Sequence, residues 1–138
     1  MQAGDVFVYL DDVEYSKNSF HNRNYIKSSQ GKELLTIPVK YKGNANEYIC
    51  NMPINNDYPW RKKHWRSIQM HYQKAQYYDE LKNIIFNNIY NSDWKTLGEL
   101  NIAYIEILKN YLDDKNLSYI SYITTLMDIK KIKNFYEF

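Results

Sequence analysis

With a single cysteine among 138 residues, this chain cannot close an internal disulfide, and no metal site with paired-cysteine spacing can be written on Cys50. Its four glycines are scattered, which excludes the phosphate loop of nucleotide triphosphatases and the dinucleotide glycine fingerprint. No Gly-x-Ser-x-Gly element supports a serine hydrolase. Long apolar runs are missing as well: Val6 to Leu10 and Ile84 to Phe86 fall far short of the ~20 residues that a membrane-crossing helix needs. The opening Met1-Gln2-Ala3-Gly4-Asp5 has neither the basic nor the apolar region of a secretory leader, so a cytoplasmic location is expected. Charge of one sign is not in excess either. Against 18 Lys+Arg stand 16 Asp+Glu, and a formal net charge of +2 argues against general nucleic-acid binding through a strongly basic face.

What is present is a 44% hydrophobic, 25% charged chain, which fits one globular domain over residues 1–138. A chain of this length buries roughly 68% of the surface its unfolded form exposes, enough for a core without disulfides or a structural metal. Asn, Lys, Ile and Tyr recur throughout, as an AT-rich genome produces, so their abundance alone assigns no function. Strand signals occupy the first half. Asp5-Val6-Phe7-Val8-Tyr9-Leu10 reads as a buried strand ending in the acidic pair Asp11-Asp12. Asn24 to Lys27 and Leu34 to Val39 flank a polar loop around Gly31, a predicted hairpin whose second arm Pro38 makes an edge strand or ends. A polar connector follows from Tyr41 to Asn56.

The period then changes. Asn56-Asp57 before Pro59 signals a helix start, and Trp60, His64, Ile68, His71 and Ala75 share one helical face. A second helix is predicted from about Tyr78 to Tyr90, with Leu81, Ile84, Ile85 and Ile89 as its apolar face. A third, about Trp94 to Leu112 with Asn91-Ser92-Asp93 as its cap, presents Leu97, Leu100, Ile105, Leu108 and Leu112. Beyond it, Tyr119 to Ile123 reads as a strand and Thr125 to Phe138 as a basic helix. The fold class is thus α/β, short N-terminal sheet elements followed by a mainly helical half.

Three clusters are chemically competent. Asp11 and Asp12 sit where α/β sheets bind ligands, beyond a strand's C-terminal end, and a carboxylate there can hold hydroxyls or act as a base; the plainer reading is a pair of acids capping a turn. The segment Tyr15 to Lys27 gathers Lys17, Arg23 and Lys27 with amides and His21, donors suited to phosphate or carboxylate, or else forms an ordinary solvated loop. Trp60-Arg61-Lys62-Lys63-His64-Trp65-Arg66 crowds cations onto the first turns of a helix, which an anion would relieve; otherwise it is a basic face over core tryptophans. His64 and His71 lie seven apart, two turns along one helix, too far to share one metal ion, so no metal is assigned.

The ordered set Asp5-Val6-Phe7-Val8, Leu10-Asp11-Asp12-Val13, Tyr15-Ser16-Lys17, Asn22-Arg23-Asn24, Ile26-Lys27, Gly31, Leu35-Thr36-Ile37-Pro38-Val39, Trp60-Arg61-Lys62-Lys63-His64-Trp65 and Leu100-Asn101 resembles the WbqC-like family. The resemblance runs from Asp5 to about Asn101. It implies a bacterial protein of O-antigen or other surface-polysaccharide synthesis, acting as a transferase that places an acyl or aminoacyl group on a nucleotide-linked amino sugar. Under it, Asp11, Asp12 and His64 are the candidate catalytic groups: either acid orients a hydroxyl or takes a proton, and His64 is the alternative base. Tyr15, Lys17, Asn22, Arg23, Asn24, Lys27, Trp60 and Arg61 are the candidate substrate-binding residues. Of these, Lys17, Arg23, Lys27 and Arg61 would neutralise the diphosphate and Trp60 would stack on sugar or base. The expected partner is a nucleotide sugar or another anionic small molecule, and no cofactor is named. The family's opening strand and Gln-Pro-x-Tyr-Leu-Pro-Trp-like segment and its C-terminal extension have no match here, so a shortened member or fragment is expected. The competing expectation is a non-catalytic scaffold, or homo-oligomer, built on the aromatic helical half.

Overall fold

The structure, a computed structural model, describes the backbone of residues 6–111 and 118–120 and the side chains of residues 8–111. Its first strand, β1 (Val6–Val8), is shorter than the apolar run predicts, and it pairs in parallel with a strand from the far end of the chain, β4 (Ser118–Ile120). β4 overlaps the start of the strand predicted at Tyr119 to Ile123; the remainder of that stretch and the predicted helix from Thr125 lie outside the described residues.

The hairpin is present with a longer first arm, a second arm that starts three residues earlier, and a tighter turn than expected. β2 (Arg23–Ser28) and β3 (Gly31–Thr36) pair antiparallel from Arg23↔Thr36 to Ser28↔Gly31, leaving two residues in the loop. Gly31 opens β3 at φ 118, a region that side chains with a Cβ avoid, so the turn closes where the glycine is. Asn22 extends the ladder by one step. Its backbone carbonyl accepts the Ile37 N–H at 2.8 Å, and its side-chain Nδ2 donates to the Ile37 carbonyl at 2.7 Å. The strand stops at Thr36, two residues before Pro38.

The stretch Tyr41 to Asn56, expected to be a polar connector, supplies core instead. Met52 is fully buried, and Ile49 and Ile54 nearly so. No regular element holds it; backbone bonds do. Ile49 and Cys50 donate to the Val13 and Asp11 carbonyls, Ile54 to that of Lys95, while Leu97 and Gly98 donate back to Met52 and Ile49. The connector therefore ties the end of the first strand to the start of the helix that opens at Leu97. Alternation and helical periodicity miss such a segment because it has neither period.

The α-helices among the described residues are α1 (Trp60–Tyr72), α2 (Tyr78–Ile85) and α3 (Leu97–Tyr111). α1 starts at Trp60 as predicted, but Asn56 and Asp57 do not cap it: Pro59 holds the cap position without a side-chain bond. Asn56 instead accepts Trp60 Nε1 and Arg61 Nη1 and donates to the Trp94 carbonyl. The second predicted helix divides, with a π-helical turn at Phe86–Tyr90 closed by Asn91 N–H to the Phe86 carbonyl. This wider turn lets two consecutive residues, Ile89 and Tyr90, both enter the core. α3 is capped by a Thr96/Glu99 capping box rather than by Asn91-Ser92-Asp93: the Glu99 carboxylate accepts the Thr96 N–H and the Thr96 hydroxyl accepts that of Glu99. Two clusters form the core, one around Ile54, Trp60, Ile89, Tyr90 and Leu100, the other around Tyr15, Ile49, Met52 and Leu97.

Candidate functional site

Between the hairpin, the end of the first strand and the three helices lies a cavity of about 880 Å³, within the range of small-molecule sites. Leu10 and Asp11 line it from the first strand's end, Arg23 to Ile26 from β2, His64 and Trp65 from α1, Tyr78 and Leu81 from α2, and Asn101 and Tyr104 from α3. Of the eleven site residues expected from sequence, six come together here: Asp11, Asn22, Arg23, Asn24, Trp60 and His64.

Asp11 is buried, and its carbonyl is pinned by the Cys50 N–H at 2.8 Å. Burial, and secondarily the neighbouring Asp12 charge, raises the Asp11 pKa, against a backbone hydrogen bond that lowers it. His64 is buried on α1 with Nε2 2.9 Å from the Thr36 carbonyl at the end of β3. A carbonyl only accepts, so Nε2 carries the proton and Nδ1 is the basic nitrogen. Burial lowers the His64 pKa more than that bond raises it, and the ring stays neutral near pH 7. Trp60 and Tyr90 pack edge-on against the imidazole. Trp60 is itself 1% exposed, its Nε1 bonded to Asn56 and one face covered by the Arg61 guanidinium, so it serves as wall and core.

Arg23 and Asn22 differ from these because each keeps an unpartnered polar atom. Arg23 Nε and Asn22 Oδ1 are buried without a hydrogen-bond partner, and so is the hydroxyl of Tyr78. All three residues line the cavity. Buried polar atoms are nearly always paired, so three orphans on one cavity's lining are what a polar ligand would satisfy.

The other five residues lie elsewhere. Asp12 is exposed. Tyr15 is buried in the second core cluster, where burial raises its pKa against the Arg23 charge. Lys17 sits 5.1 Å over the Tyr41 ring, the Lys27 side chain is exposed, and Arg61 is spent on the Ser92 carbonyl, Asn56 and Asp93. The four-cation diphosphate cradle is therefore not assembled. His71 bonds Glu33 of β3 at 2.8 Å, and no group of three or more metal-capable side chains occurs among the described residues.

Sequence reasoning missed Trp65, Tyr78, Tyr90, Tyr104 and Asn101 as lining residues. Tyr104 donates to the Tyr90 hydroxyl at 2.8 Å, and burial raises both phenols' pKa. Asn101 Nδ2 holds the His21 carbonyl at 3.0 Å. Fifteen tyrosines in the chain hide the few that matter; the signals present were Trp65, within the Trp60 to Arg66 run, and Asn101, within the ordered motif set.

Among the described residues no helix is long and apolar enough to cross a membrane. A family model described as the WbqC-like protein family matches residues 1–131. The uncharacterized protein Rv1507c of Mycobacterium tuberculosis is 32% identical over 108 residues, which cover 78% of this chain and 46% of the relative. The chain thus spans under half the length of that curated relative. No solved structure matches.

Proposed function

The chain belongs to the WbqC-like protein family, and from that premise we propose that it acts in surface-polysaccharide synthesis, transferring an acyl or aminoacyl group onto the amine of an amino sugar bound in the cavity. The support is the joint lining of one aromatic-walled cavity by a neutral buried imidazole, a buried carboxyl and an arginine with an unpartnered Nε. The amine attacks the carbonyl carbon of an activated acyl donor, the new C–N bond forms, and the bond from that carbon to the leaving group breaks. His64 Nδ1 receives the proton that the amine loses. Asp11 accepts a hydrogen bond from a sugar hydroxyl. Because Lys17, Lys27 and Arg61 stand away from the cavity, the sugar occupies it and the nucleotide diphosphate lies outside.

The test separates binding from chemistry. Nucleotide-linked amino sugars should raise the melting temperature of the full chain while the free nucleotide does not, since a ligand at about 100 times its Kd adds about 2.7 kcal/mol. His64→Gln keeps an N–H for the Thr36 carbonyl but has no base; it should bind normally and transfer at least ~100-fold more slowly. No shift with any amino sugar, or wild-type transfer by His64→Gln, overturns the proposal. The scaffold reading draws on one observation, the 72% and 64% exposure of Leu10 and Phe20 at the cavity rim, which a second copy of the chain would cover. A solution mass equal to one chain at high concentration would remove it.

A further inference from the structure

We propose that the cavity contains a subsite for a single carboxylate, read by Arg23, on a substrate with an apolar or aromatic body. This deepens the reading above by naming the chemistry of one substrate, and it rests on that reading only in taking the same cavity as the substrate site.

Arg23 opens β2 and lines the cavity, and among the described residues it forms an ion pair with no carboxylate. Its Nη2 makes one long, exposed bond of 3.3 Å to Asn18, and its Nε is buried and bonded to nothing. A buried N–H held so, without an acceptor, is costly. Nε and Nη2 form one edge of the planar guanidinium, and two parallel N–H groups on one edge match the two oxygens of a carboxylate.

The remaining charges fix the size of that anion. Among the described residues only Lys82 on α2 adds a second cation to the lining, and it is exposed, while Asp11 adds a carboxyl. A diphosphate would face that carboxyl with one half-buried arginine to hold it. A single, singly charged planar group does not overload the site. The rest of the wall, with Trp65, Ile68, Leu81, Ile85 and Ile105, suits an apolar body, and the orphan Tyr78 hydroxyl offers one more polar contact from α2.

Isothermal calorimetry on the full chain with phenylacetate, phenylacetamide and phenyl phosphate tests this. The acid should bind at least about tenfold more tightly than its neutral isostere, the worth of a charge-assisted bond, and more tightly than the phosphate. Arg23→Gln should bring the acid down to the amide's level and leave the amide unchanged. Arg23→Lys, which keeps the charge without the fork, should fall between, and it serves if Arg23→Gln does not fold. Equal binding of acid and amide, preference for phenyl phosphate, or an unaffected arginine variant overturns the proposal. Carboxylate selectivity without transfer to amino sugars would sink the transferase and leave the subsite standing; transfer without carboxylate selectivity would do the reverse.

Discussion

Burial holds the His64 imidazole neutral, and the Thr36 carbonyl decides which nitrogen keeps the proton. The same arrangement makes stability depend on pH. With the folded pKa below the ordinary 6.5, the unfolded chain binds the proton first as pH falls. The His64 contribution is therefore complete above that ordinary value and is lost as pH drops through the lowered folded one. Urea midpoints measured from about pH 7.5 to 5 should fall more steeply for wild type than for His64→Gln. Gly98 makes a different kind of demand. A Cβ there would lie 2.5 Å from the Cys50 Cα, a backbone atom that the Asp11 and Ile49 carbonyl bonds hold in place. Gly98→Ala should lower stability by about 1–3 kcal/mol in urea unfolding, although alanine is the better helix former by ~1 kcal/mol.

At the scale of elements, the polar face of α1 explains how the hairpin stays over the cavity. A two-stranded hairpin is marginal alone. Here the Thr36 carbonyl bonds His64, Glu33 bonds Ser67 and His71, and the Lys27 N–H bonds the Tyr72 hydroxyl, so one side of α1 meets both strands. The bonds from Ser67 and His71 hold the Glu33 carboxyl below its usual pKa of 4.5. Its contribution is present above that value and disappears as pH falls through the lowered one. Glu33→Gln should accelerate amide exchange across Arg23–Thr36 and leave α3 as slow as before; equal acceleration in both would mean that the hairpin opens only with the whole fold. The four-and-three spacing of His64, Ile68 and His71 was legible as one face. That this face serves the hairpin was not, because sequence pattern does not say which element a helix meets.

Across the whole molecule, the cavity draws its wall from the hairpin, α1, α2, α3 and the first strand's end, so a ligand bound there would couple them. A saturating ligand should slow exchange in β2, β3, α1 and α3 together, with a midpoint shift that grows with ligand concentration; protection confined to the hairpin would contradict a shared wall. The wall also divides the apolar face read on α3: Leu97 and Leu100 are fully buried in the core, whereas Ile105 and Leu108 line the cavity, and Leu108 is 39% exposed.

The amino-acid sequence by itself determined the order of elements, the hairpin closed by Gly31, the start of α1 at Trp60 and the family, because each is written in local period, turn chemistry or an ordered motif set. Tertiary structure alone decided which polar residues share a cavity. Asp11, Arg23 and His64 come from separate elements that contacts such as those of Cys50, Asn22 and Thr36 align, whereas Lys17 and Arg61, as promising in sequence, are drawn off by Tyr41 and Asp93. A side chain's partners depend on residues far away in the chain, and no local pattern records them.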